Sequence, residues 1–276
     1  MRFAILLFCA TLSAQTPVGV TAPVRGVNFY SIEKEKALGA QLVVEYRRQA
    51  QVIGAPSVNA YLDELGQRLA AQAPATGFTY SFELVDDDQT WIHEAAAFPG
   101  GPAFVPASLI LAAADEDELA AMLAHAIAHV ATRQQTRDMT KGQIMNQATV
   151  PLIQMGGPSG YAIRQGAALA LPISFLAFQR KNELESDQVA ARILSAAGYD
   201  PQALSRYIER VQSADPSLRN PMAPYPDKVQ RLASLQAAIQ QVPPATYSAH
   251  PGIDAIQQEV ARLTARPAKT PPRLAR

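Results

Sequence analysis

Two histidines stand four residues apart in Leu123-Ala124-His125-Ala126-Ile127-Ala128-His129-Val130. On a helix this spacing puts both imidazoles on one face, a turn apart, where they can ligate one metal ion. Metalloprotease helices carry the pair as His-Glu-x-x-His, in which the glutamate polarises the attacking water and then hands its proton to the leaving amine. Here Ala126 stands in the glutamate's place. Taken alone, two helical histidines four apart are more often a packing or solvent-facing pair. The surrounding helix favours a metal, because it is apolar at Leu119, Met122, Leu123, Ile127 and Val130. Unpaired imidazoles on or beside a buried face are costly, and a metal satisfies both.

A metal also needs ligands from elsewhere. The best candidates lie in Asn182-Glu183-Leu184-Glu185-Ser186-Asp187, where Glu183 and Asp187 share a helix face. One carboxylate can bind the metal while the other orients a ligand histidine. Glu185 points elsewhere and reads as a solvated acid. Glu118, about two turns from Ala126 along the helix, is badly placed to replace the missing carboxylate. His93 and His250 read as surface residues.

These side chains need a scaffold. Ser31 can cap a first helix with Leu38, Leu42 and Tyr46 on one face, ended by Gly54-Ala55-Pro56. Val58, Tyr61, Leu62, Leu65 and Leu69 then form the apolar stripe of a second helix. Alternation of Phe78, Tyr80, Phe82 and Leu84 predicts a strand. A shorter strand through Ala95 to Phe98 turns at Pro99-Gly100-Gly101-Pro102 into Ala103-Phe104-Val105. Asp115 with Glu118 forms a capping-box pattern that opens the histidine helix, expected over Glu116 to Gln135.

A polar, glycine-containing stretch from Arg137 to Gly160 follows, then the apolar run Ala167 to Phe178, interrupted by Pro172, which suits a core helix or a flap over a cleft. Helices are expected over Phe175 to Ala197, stopped by Gly198, then through Leu204, Tyr207, Ile208 and Val211, over Asp227 to Gln241, and over Asp254 to Ala265.

At 276 residues with 48% hydrophobic content, the chain can bury one sizeable core. Lys+Arg and Asp+Glu are equal at 24 each, which gives no field that would steer it to nucleic acid. Met1-Arg2 followed by the apolar run Phe3 to Leu12 reads as a cleavable secretory signal ending near Ala14, so a periplasmic or secreted protein is expected. A run of about ten apolar residues falls short of the roughly twenty that span a bilayer. The single cysteine, Cys9, lies inside this signal, so the mature chain has no thiol to serve as nucleophile or ligand. The expected organisation is a signal at 1–14, a flexible segment at 15–30, one domain at 31–241, and a C-terminal helix with a Pro-rich tail at 242–276.

Several of these stretches together carry a resemblance. Ala97-Phe98-Pro99-Gly100-Gly101, Ala112 to Leu119, Leu123 to His129, Glu183-x-x-x-Asp187 and Ala196-Ala197-Gly198-Tyr199-Asp200-Pro201 occur in an order that resembles the HtpX/BepA-like zinc metallopeptidases, gluzincins related to the CAAX prenyl proteases. It covers the chain from about Ser31 to Leu235. The resemblance implies a mainly α (α+β) fold with a small β-sheet beside the active-site helix. It also implies one Zn2+ held by His125, His129 and Glu183, Asp187 behind the ligands, and a substrate strand added along the edge at Ala96 and Phe98. The family acts as endopeptidases on misfolded or membrane-associated proteins, so the implied partner is a polypeptide, with peripheral association to a membrane in keeping.

Two departures fall on chemistry. Ala126 removes a group of a kind that contributes about 10² to 10⁴ in rate. Upstream of Lys228-Val229-Gln230-Arg231-Leu232, where family members often carry a His-Pro pair, a gapless match reads Pro221-Met222-Ala223-Pro224. The expectation is an exported zinc-binding pseudopeptidase that holds peptides or partner proteins in the cleft. A working metallopeptidase with an unusual base and a metal-free structural helical protein remain the alternatives.

Overall fold

The computed structural model describes residues 26–86, 94–153, 177, 179–214, 225–248, 250 and 252–265. The expected signal with Cys9, His93, nearly all of the apolar run 167–178, and Pro221-Met222-Ala223-Pro224 lie outside the described residues.

Helix α2 (Pro56–Ala70) seeds the core. Its stripe Val58, Leu62, Leu65 and Leu69 is fully buried, as the spacing predicts. It packs on strand β2 (Ser81–Asp86), whose Phe82 and Leu84 point at the helix side of the sheet. Gly66 makes the contact close, since a Cβ there would meet the Phe82 ring at 2.0 Å. Strands β1 (Gln51–Val52), β3 (Ala96–Ala97) and β4 (Pro102–Pro106) complete a mixed sheet of order β1-β2-β4-β3. β3 and β4 form the expected antiparallel hairpin, Ala96 opposite Phe104, while β2 and β4 run parallel. β1, too short to show alternation, was not expected.

Helix α1 (Ile32–Gln49) begins at Ser31, whose hydroxyl accepts the Lys34 N–H at 3.3 Å. Its buried positions are Glu35 and Gly39, whereas Leu42, expected on the inner face, is 37% exposed. Gly39 explains the rotation. A Cβ there would sit 1.7 Å from the Pro99 carbonyl oxygen, so α1 is seated by backbone approach to the β3–β4 turn rather than by its leucines.

Helices α3 (Ala107–Ala112) and α4 (Glu116–Ala131) follow the sheet. The Asp115 side chain accepts the Glu118 N–H at 2.8 Å and the Glu118 carboxylate accepts the Ala114 N–H at 2.8 Å, close to the predicted capping box. α4 stops at Ala131, short of the expected Gln135. Arg133 takes φ 56, a left-handed value that costs a non-glycine residue about 1 kcal/mol or more, and the chain re-enters a helix at once. Two contacts hold that turn: the Arg133 guanidinium donates to Glu35 at 2.8 Å and to the Tyr30 carbonyl at 2.5 Å. Helix α5 (Gln134–Ile153) therefore runs through much of the polar, glycine-containing stretch.

Helix α6, over 179–196, lies within the expected span and ends in a left-handed Gly198 at φ 86, where the Tyr199 N–H reaches back to the Leu194 carbonyl at 2.9 Å. Helices α7 (Gln202–Arg210), α8 (Lys228–Ile239) and α9 (Asp254–Thr264) close the molecule around α4 and α3. In α9 Val260 is buried and Gln257 donates to the carbonyls of Ile110 and Ala113, so this helix joins the same core. The fold is thus mostly helical, with the small sheet beside α4.

Candidate metal centre

Buried α4 and α6 bring three ligand side chains to one point. His125 Nε2 and His129 Nε2 are 2.9 Å apart, His125 Nε2 is 3.4 Å from Glu183 Oε2, and His129 Nε2 is 3.5 Å from Glu183 Oε1. Four-coordinate zinc with bonds of about 2.0–2.1 Å places its ligands about 3.3 Å apart, so this triangle is the right size for one face of the tetrahedron. His125, His129 and Glu183 are also the one cluster among the described residues whose His, Cys, Asp or Glu ligand atoms converge closely enough to share a metal.

A hydrogen bond behind the ligands sets the His129 tautomer. Gln134 Nε2 donates to the Asn182 carbonyl at 3.1 Å, which leaves Gln134 Oε1 to accept His129 Nδ1–H at 2.5 Å and the Ser186 hydroxyl at 3.1 Å. His125 Nδ1 lies 2.9 Å from Asp187 Oδ1, bent away from hydrogen-bond alignment. Both Nε2 atoms face each other and the Glu183 carboxylate. Glu183 Oε2 is itself buried without a hydrogen-bond partner. When no metal is bound, a proton between the two Nε2 atoms relieves their repulsion; a divalent metal can replace that proton, and the donor set therefore fits one.

Ionisation follows the same geometry. Burial opposes charge on His125, but Asp187 and Glu183 outweigh it and hold the ring's pKa up to about 10 when these side chains act alone. Burial lowers His129. Glu183 is held below the usual carboxylate range: burial works against this, and His129, His125 and Arg231 overcome it. Asp187 lies far lower still against its own burial, because Arg231 grips it through Nε at 2.7 Å and Nη2 at 2.9 Å and His125 adds to the pull. The guanidinium continues to Glu183 Oε2, 3.4 Å from Nη2.

Asp187 and Glu183 thus share a helix face as expected, while Glu185, read as a solvated acid, is partly buried. It pairs with buried Arg137 at 2.6 Å, a partner 48 residues away that no local pattern reveals. Ala126 is buried in α4 and offers only a methyl group. Glu118 is tied to Arg210 and to the Ala114 N–H. His250, expected at the surface, stacks on Tyr199 with ring centroids 4.0 Å apart and lies 3.3 Å from Asp117, remote from the cluster in role. β3 forms the sheet edge against α4. Phe98 directs its N–H inward to the Pro102 carbonyl at 2.8 Å, so strand alternation turns the Ala97 groups outward, where the Ala97 carbonyl accepts Gln135 Nε2 at 2.8 Å.

Sequence reasoning passed over Gln134, Arg231, Glu94 and Tyr225. Gln134 had a signal, since it stands five residues after His129; Arg231 had another, a charge flanked by Leu232 and Leu235 in an amphipathic helix. Glu94 and Tyr225 had none, because only folding joins them: the Tyr225 hydroxyl donates to Glu94 Oε2 at 3.1 Å.

Comparison with known proteins agrees with this architecture. Residues 56–253 match the model of Peptidase family M48. The chain is 32% identical over 188 residues to the Beta-barrel assembly-enhancing protease of Yersinia pestis, covering 66% of this chain and 38% of that protein. The protein of that name from Escherichia coli (strain K12) is 29% identical over the same length and share. Mitochondrial metalloendopeptidase OMA1 of Schizosaccharomyces pombe is 26% identical over 183 residues, 64% of this chain and 51% of that protein. The chain spans well under half the length of the two barrel-assembly proteases. With most of the core and all three converging ligands inside the matched residues, the chain belongs to peptidase family M48, a metallopeptidase family.

Proposed function

We propose that this chain is an exported protein that binds one zinc ion through His125, His129 and Glu183 and holds extended polypeptide along the β3 edge, with hydrolysis strongly impaired. The observation that carries this reading is an intact ligand triangle, in which one Glu183 oxygen has no hydrogen-bond partner, beside an α4 surface that bears a methyl group at position 126. Zinc, when bound, polarises a carbonyl and acidifies water.

This chain's own residues supply the rest. Gln134 holds the His129 imidazole by its Nδ1, and the Asp187 carboxylate lies beside the His125 Nδ1. Arg231 restrains Glu183 and Asp187 together. The edge running from Ala96 to Phe98 binds a strand through the outward main-chain groups of Ala97, and Gln135 must leave the Ala97 carbonyl to admit it. Export is supported by the apolar start at Phe3 to Leu12, and among the described residues no helix is long and apolar enough to cross a membrane.

The test compares purified chain with Ala126→Glu for bound zinc and for cleavage of unfolded casein. Zinc in both, with rapid cleavage in the variant alone, is the expected result. Equal cleavage by the unaltered chain would overturn the impairment, and absence of zinc from both would overturn the metal site.

Slow hydrolysis is the second reading, and one observation favours it: another carboxylate lies close to the ligands.

A further inference from the structure

Glu94 enters the site from the sheet, two residues before β3. Its side chain is 17% exposed, and its Oε1 lies 3.9 Å from Arg231 Nη1 while Glu183 Oε2 lies 3.4 Å from Nη2 of the same guanidinium. One guanidinium thus separates the carboxylate from a metal ligand. Gln212 Nε2 donates to Glu94 Oε1 at 2.5 Å and the Tyr225 hydroxyl to Oε2 at 3.1 Å, and Tyr225 lies beside the same guanidinium, its ring centroid 5.9 Å from the Arg231 carbon.

We propose that Glu94 is the proton-accepting carboxylate of this metal centre, acting from the sheet side where α4 carries Ala126. The inference rests on the zinc reading above. In the reaction, the attacking water gives one proton to Glu94 as its oxygen bonds the carbonyl carbon. That proton passes to the amide nitrogen as the C–N bond breaks, so one water is consumed and the carboxylate is restored.

Position supports the assignment in two ways. Glu94 precedes the edge strand along which a peptide would lie, so it is anchored to the element that orients the scissile bond. Its surroundings also suit a group that takes and returns a proton: burial, then the nearby Glu183 charge, raise its pKa, with His125 and Arg231 acting against them and Tyr207 and Tyr225 as the neighbouring phenols. Glu118, the acid of α4 nearest to Ala126 in sequence, is occupied by Arg210.

The test uses the zinc-loaded full chain and a leucine-based peptide hydroxamic acid, which binds zinc as its anion and must leave its proton somewhere. Calorimetry at pH 8 in two buffers of different ionisation heat counts that proton. The unaltered chain is expected to keep it, Glu94→Gln to release about one proton per bound ligand to the buffer, and Glu45→Gln, at an exposed carboxylate of α1, to behave as the unaltered chain. Residual casein cleavage is expected to fall by about 10² in Glu94→Gln at unchanged zinc content.

Equal proton counts in the unaltered chain and Glu94→Gln would overturn the proposal. So would loss of zinc from Glu94→Gln, which would make Glu94 a support of the ligands. An unaltered chain that binds no zinc fails the metal reading instead, and one that cleaves as fast as Ala126→Glu fails the impairment.

Discussion

The two ends of α4 both bury charge and treat it in opposite ways. At the N-terminal end every acid is answered. Glu116 accepts from the hydroxyls of Tyr61 at 2.9 Å and Tyr199 at 2.8 Å, Asp117 accepts the Asp200 N–H at 3.2 Å, and Glu118 meets Arg210 and the Ala114 N–H. At the C-terminal end the Nε2 atoms of His125 and His129 oppose each other at 2.9 Å and Glu183 Oε2 has no hydrogen-bond partner. The first cluster is closed by its hydrogen bonds and serves the fold; the second leaves a ligand oxygen open to a cation. Burial is common to both, so the pairing of each polar atom, rather than its depth, separates scaffold from site.

Substitutions can break that contrast. The largest expected effect is Ala126→Glu, which restores a carboxylate on the ligand helix and raises casein cleavage by about 10² to 10⁴ while zinc content stays constant. Next, Glu183→Gln removes a ligand. The chain then loses the thermal stabilisation by zinc, about 4 kcal/mol when free zinc is a thousandfold above Kd, and the variant's melting no longer responds to chelator.

Gln134→Leu leaves the triangle but frees the His129 ring, and a zinc competition titration should show affinity about 10- to 100-fold weaker. At the opposite end, Tyr199→Phe withdraws a donor from buried Glu116 and costs about 1–3 kcal/mol in urea unfolding, with zinc affinity unchanged. A shift in zinc affinity there would erase the distinction between the two ends. The smallest effect is Leu42→Ala, within about 0.5 kcal/mol by the same unfolding measurement, because α1 leaves Leu42 37% exposed.

The Leu42 case shows where sequence reading succeeds and stops. The α2 stripe, the Asp115 cap, Gly198 and the β3–β4 hairpin were legible because each rests on local chemistry: periodicity, a side chain bonding three residues on, a glycine at positive φ. His125 and His129 were legible for the same reason. Leu42 misled because a glycine-to-backbone contact with Pro99, far along the chain, sets the face that α1 presents. The stop of α4 was hidden because an arginine occupies the left-handed position, held by tertiary bonds to Glu35 and Tyr30. Glu94 was silent because its meaning depends on Arg231 and Tyr225, which approach it only in the folded chain.

That arginine turn places two consecutive glutamines on two different tasks. Gln134 grips the His129 ring, and Gln135 caps the Ala97 carbonyl on the outer edge of β3. A strand added to that edge displaces Gln135 and acts on the residue next to the one that orients a ligand. On the proposed function zinc and peptide would be linked ligands, and linkage is reciprocal: whatever factor zinc contributes to peptide affinity, peptide contributes to zinc affinity. The turn at Arg133 would then make occupancy of the β3 edge a determinant of how firmly the ion is retained.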